Sequence, residues 1–147
     1  MPATYFIVAS VLMLFLFHEL KFSPDPASQL HAMDAPIILA VCALHVGFFL
    51  LESVFWMRKS VRKLFGNRTV AIAASKRILA LNQGFYNLGV AMLLAYLRFT
   101  LSGGDQAVDA LLLFIVAMGI VGGVTATKSI LLLQAAPAAA AVALRWS

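Results

Sequence analysis

A glutamate, a histidine and a set of amides stand inside runs that are otherwise apolar enough to cross a bilayer. Glu52 is the one acidic residue within the apolar run 36–57. A carboxylate at such a depth costs on the order of 2.5–3.5 kcal/mol on insertion scales, so its presence calls for a partner or a task. His45 lies seven residues earlier, on the same face of a helix. Together the two are candidate catalytic groups. A buried carboxyl and an imidazole supply acid–base chemistry for proton transfer, isomerisation or epoxide opening on a lipophilic substrate. Two helical turns, about 10 Å, separate them, so they would act on two ends of one substrate.

Depth gathers further groups around this pair. Glu52 lies six residues before Arg58, Asn82 and Gln83 five and six after Arg77, and Gln134 six after Lys128. Each is therefore about 8–9 Å inside a basic boundary. Tyr86 and Asn87 follow one turn beyond Asn82 and Gln83. The sequence thus predicts a polar pocket on the cytoplasmic side, with Glu52, His45, Asn82, Gln83, Tyr86, Asn87, Lys128 and Gln134 as its ligand-binding residues. The outer half reads as almost purely apolar. Taken singly, an intramembrane amide is interhelical glue worth about 0.6 kcal/mol, and Glu52 is half of an ion pair with Lys128 or Arg77. Glue needs one or two pairs, whereas this constellation has eight members.

The elements that position these groups follow from composition. The chain has 147 residues, of which 63% are hydrophobic and 12% charged. A soluble domain carries about 25% charged residues, so this is an all-α membrane helix bundle. An apolar helix over about 4–20 and an external linker over 22–35 precede a four-helix core, 36–147. Asp34 is the expected N-cap of the helix over 36–57. Spans follow over 78–99, 107–124 and 130–144. Pro137 should kink the last and free the carbonyl of Leu133. The stretch 69–76 reads as a short helix, either interfacial or continuous with the span after it. Gly119 and Gly123 form a small-xxx-small face suited to close helix approach.

Charge sets the orientation. Seven of the eleven basic residues fall in the loop 57–77. The positive-inside rule places that loop and the N-terminus in the cytoplasm, while Arg145 at the outer end fits poorly. The clustering in one loop argues against nucleic acid as a partner and for the lipid bilayer. One cysteine, Cys42, rules out an intrachain disulfide, and one intramembrane His with one Glu lacks a third metal ligand. No cofactor motif is present.

Over about 43–144 the chain resembles the small bacterial membrane proteins grouped as domain of unknown function 1304. The resemblance is carried by His45, Leu51-Glu52, Trp56, Lys63-Leu64-Phe65-Gly66 and the run Asn82-Gln83-Gly84-Phe85-Tyr86-Asn87. Gly122-Gly123, Thr125 to Lys128 and Gln134 to Ala138 complete it. Leu44 stands where the family often has an acidic residue, and residues 1–35 look like an addition. The resemblance implies a four-helix core in a bacterial cytoplasmic membrane and supplies no activity. Three roles are open at this point. One is binding a hydrophobic or amphipathic small molecule. Another is acid–base catalysis by Glu52 and His45. The last is service as an accessory subunit, with a membrane-complex partner or as a homo-oligomer.

Overall fold

The structure, a computed structural model, describes residues 34–146. The expected helix over 4–20, and the linker before Asp34, lie outside them. The described residues are helical throughout the expected spans and contain no strand. Helix α1 is Ala35–Phe49 and runs into a π-helical turn, Leu50–Val54. The basic loop holds two short helices, α2 (Lys59–Leu64) and α3 (Val70–Ser75). Helices α4 (Arg77–Phe99) and α5 (Asp105–Thr125) are full-length spans. A second π-helical turn, Leu131–Ala135, leads into α6, Ala136–Trp146.

Among the described residues, three stretches, Ala35–Val54, Arg77–Phe99 and Asp105–Thr125, are long and apolar enough to cross a membrane, and Leu131–Arg145 is a shorter apolar helix. The fold is a membrane helix bundle. α1 packs on α4 and α6, and α5 packs on α4, α6 and the second π turn. The helix predicted over 69–76 is a separate element. Thr69 caps it, its Oγ1 accepting the Ile72 N–H at 3.2 Å, and the chain turns at Lys76 before α4 begins.

The four helices divide into layers along their length. The main apolar core lies in the half remote from the basic loop. Ile38 and Val41 from α1, Leu94 from α4, Leu112 and Ile115 from α5 and Ala138 and Ala141 from α6 meet there. A smaller cluster of Trp56, Val61 and Ala80 fastens the basic loop to the bundle. Trp56 donates its indole N–H to the Ala73 carbonyl at 2.8 Å and packs on Phe65, with ring centroids 5.2 Å apart.

Beyond the main core, the remote end is not the apolar surface the sequence suggests. Asp34 occupies the N-cap position of α1, but its side chain makes no cap bond. Its carboxylate turns inward, is 2% exposed, and takes Arg98 on one oxygen at 2.6 Å and Arg145 on the other at 2.5 Å. Arg145 continues to Asp105 at 3.0 Å and to Asp109. Trp146 donates to the second oxygen of Asp109 at 3.1 Å. One guanidinium thus joins the starts of α1 and α5 to the end of α6, while Arg98 brings in the end of α4. This accounts for Arg145, which fits a topology rule poorly because its partners are carboxylates of the same bundle. Removing one partner from such a buried network costs about 3–5 kcal/mol, because the remaining charges lose their counterions.

Both π turns have a physical setting. In the first, the Phe55 N–H reaches the Leu50 carbonyl at 2.9 Å, one residue further back than in an α-helix. In the second, the Ala136 N–H reaches Leu131. The second turn comes immediately before Pro137, whose missing N–H cannot serve the Leu133 carbonyl. The expected proline kink is accommodated there as a π turn. Gly119 of α5 seats this turn. A Cβ on Gly119 would lie 2.7 Å from the Ala135 backbone nitrogen and 2.9 Å from its Cα, so the two backbones meet without room for a methyl group. The predicted small-residue face is where α5 meets this turn.

Gly119→Ala should destabilise the bundle by about 1–3 kcal/mol, because the clash is with backbone that cannot rotate away. Gly47→Ala is the control, since nothing lies within 4 Å of its Cβ position. Thermal unfolding in detergent should show a lowered Tm for the first and an unchanged or raised Tm for the second.

Candidate functional site

The first π turn carries Glu52 and the second carries Gln134, so the two polar residues project from the two irregular turns of the bundle. Such turns recur at functional sites because the extra residue re-aims a side chain. Gly84 of α4 sits against the first turn. A Cβ there would meet the Ser53 hydroxyl and lie 3.2 Å from the Phe49 carbonyl and 3.3 Å from the Glu52 Cβ. The run Asn82 to Asn87 therefore does two jobs. Its glycine admits the π turn, and one helical turn later Asn87 meets the carboxylate that turn presents.

Asn87 donates its amide to Glu52 Oε2 at 2.8 Å and to the Gln83 carbonyl at 3.2 Å. Both amide hydrogens are thus used, and Asn87 is buried. Glu52 is half-buried, with no Lys or Arg within ion-pair distance among the described residues. The ion pair with Lys128 or Arg77 is not formed, and a neutral amide holds the carboxylate instead. That amide fixes one oxygen and leaves Oε1 open. His45 is 1% exposed, and its Nδ1 donates to the Val41 carbonyl at 2.9 Å. This bond selects the tautomer and leaves Nε2 as the open position of the ring.

A cleft of about 560 Å³ lies between these helices. His45, Glu52, Gln83, Tyr86, Asn87 and Gln134 all line it. Two sequence candidates are elsewhere. Asn82 is exposed on α4, and Lys128 is exposed in the turn after α5; neither lines the cleft. Asn82 is adjacent to Gln83, so it points about 100° away around the helix, a separation that grouping by depth does not resolve. Lys128 belongs to a turn, and it is the segment after that turn which leads Gln134 inward.

Sequence reasoning missed the wall of the cleft. Phe114, Met118, Val121 and Gly122 supply its α5 side, and Phe65 reaches it from the basic loop. Phe65 belongs to the Lys-x-Phe-Gly motif, which was its available signal. The α5 wall is apolar and carries no signal distinguishable from lipid-facing surface. Along its length the cleft is graded. Phe65, Thr125 and Ala126 border it near the basic loop, while Val90, Phe114 and Ile115 border it at mid-span. Tyr86 is 74% exposed at its rim, so the cleft is open sideways as well.

A membrane helix bundle is the class the fold defines. The chain belongs to the family described as protein of unknown function (DUF1304), whose model matches residues 39–146. No curated protein and no solved structure matches the chain.

The hydrogen bond between Asn87 and Glu52 should couple the two residues energetically. Asn87→Leu strands the carboxylate and should cost about 1–3 kcal/mol. In the background of Glu52→Leu the same change should cost less, giving a coupling energy of about 1 kcal/mol or more in a double-mutant cycle read from unfolding in detergent. Strict additivity would show that the pair is not formed.

Proposed function

We propose that this protein binds a hydrophobic or amphipathic small molecule inside the membrane, with the ligand's polar head at Glu52 and its apolar portion along α5. The observation that carries the reading is the open valence at the cleft. Among the described residues, Glu52 Oε1 and His45 Nε2 have no partner, while their other atoms are anchored by Asn87 and Val41. Anchored groups with an open acceptor suit a head that donates hydrogen bonds, such as an alcohol or an amine. Gln83 and Gln134 add amides that both donate and accept. The cleft volume falls within the range of about 300–1,000 Å³ usual for small-molecule sites. The sideways opening suits entry from the bilayer.

In this reading the protein lies in a bacterial cytoplasmic membrane with loop 57–77 in the cytoplasm, supported by the seven basic residues of that loop. The head group then sits in the inner leaflet, and the apolar portion runs toward mid-span.

A long-chain alcohol carrying a photoreactive diazirine tests the proposal. Wild-type protein in lipid nanodiscs should be labelled on α5 and competed by unlabelled alcohol. Glu52→Gln, which alters the head contact, and Met118→Trp, which fills the apolar end, should each reduce labelling about fivefold or more, the effect of losing roughly 1 kcal/mol. Equal labelling of all three proteins would sink the reading.

A further inference from the structure

The basic loop holds a second cleft, of about 450 Å³, lined by Lys59, Arg62, Lys63, Gly66, Asn67 and Arg68. We propose that this cleft binds a phosphate group. Orientation of the chain accounts for the number of positive charges in the loop, but not for their convergence on one concavity with buried polar atoms left unpaired.

The local fold builds the cleft. Helix α2 ends at Leu64, and the chain turns at Gly66, whose φ of +69° lies in the left-handed region that favours glycine. The Gly66 N–H bonds to the Lys63 carbonyl at 3.2 Å, and the Asn67 N–H bonds to the Arg62 carbonyl at 2.7 Å. These two bonds form a Schellman motif. The motif consumes carbonyls at the helix end that would otherwise repel an anion. It also leads the chain into the buried Asn67, which lines the cleft together with the basic side chains of α2. Phe65, packed on Trp56, anchors the turn to the bundle.

Asn67 is 2% exposed, yet among the described residues neither its Nδ2 nor its Oδ1 has a hydrogen-bond partner, and the buried Nε of Arg62 has none either. Buried polar atoms are nearly always satisfied, and each exception asks for an explanation such as an absent ion. None of Lys59, Arg62, Lys63 and Arg68 has a carboxylate within ion-pair distance among the described residues. The sequence offers none nearby, since no acidic residue occurs between Glu52 and Asp105. Four cations facing one cavity repel one another unless an anion joins them.

A phosphate group supplies what these atoms lack. Its oxygens accept from Arg62 Nε and Asn67 Nδ2, and the cations balance its charge. Asn67 Oδ1 then calls for a donor beside the phosphate, either a protonated phosphate oxygen or a neighbouring hydroxyl. The cleft belongs to the loop between the first π turn and α4, where the proposed orientation puts the inner lipid head groups. Both a phosphoglycerol head group and a soluble phosphate carry this chemistry.

The full chain in neutral detergent tests the proposal in two arms. Native mass spectrometry compares retention of phosphatidylglycerol with phosphatidylcholine. Thermal unfolding compares sodium phosphate with sodium chloride at equal ionic strength. Wild-type protein should respond in at least one arm. Asn67→Leu and Arg62→Gln should each weaken that response about tenfold, the order expected for loss of one charge-assisted hydrogen bond. Arg77→Gln, outside the cleft, should leave it unchanged. If Asn67→Leu does not fold, Arg62→Gln against Arg77→Gln still decides. Phosphatidylglycerol retention that phosphate does not displace assigns the site to a lipid, and a phosphate shift without lipid preference assigns it to a soluble anion. Wild-type protein silent in both arms, cleft variants matching wild type, or Arg77→Gln falling as far as Arg62→Gln, would overturn the site.

Discussion

The arrangement depends on two close approaches, each between a glycine and a π-helical turn. Gly119 admits the turn Leu131–Ala135, and Gly84 admits the turn Leu50–Val54. A methyl group at Gly119 would lie within 3 Å of backbone atoms. A π turn widens the helix by one residue per turn, so it occupies more space than an α-helix and needs a neighbour with no side chain. In return it re-aims what it carries. The first turn directs Glu52 to Asn87, and the second brings Gln134 to the same cleft from the other side. Packing and site geometry are therefore a single constraint.

The two ends of the bundle handle charge in opposite ways. At the remote end, three carboxylates and two guanidiniums satisfy one another, with Arg145 as the hub. Four helix ends are drawn together there above a tight apolar core. Toward the basic loop the helices part around the cleft, and the polar side chains are held on one side while open on the other. A closed end and an open end follow from where the matching charges are. The basic loop has cations without carboxylates, and the remote end has both.

Much of this was legible in the sequence. Among the described residues, helix positions came within a few residues, because apolar runs broken by charge are the strongest signal such chains carry. His45, Glu52, Gln83, Tyr86, Asn87 and Gln134 line one cleft, as depth counting alone suggested. Depth is one coordinate only, and it does not separate Asn82, whose direction around the helix sets it outside the cleft. Lys128 lies outside the cleft because its polar break is the turn before the segment that carries Gln134. The charge network escaped because each member reads locally as something ordinary: Asp34 as a cap, Asp105 and Asp109 as helix starts, Arg98 and Arg145 as helix ends. Their meeting requires the tertiary arrangement. The π turns were likewise illegible, because one extra residue per turn leaves no mark on an all-apolar pattern, although Pro137 marked the place of one.

The central claim is that Glu52 is held by Asn87 so that its second oxygen meets a ligand within the membrane. An experimental structure of the protein in lipid nanodiscs tests this most directly. The account predicts elongated non-protein density in the cleft, with its polar end within hydrogen-bond reach of Glu52, about 3 Å, and its length along α5. A structure in which α5 closes onto α1 and α4, with Glu52 paired to a basic side chain and the cleft gone, would contradict it.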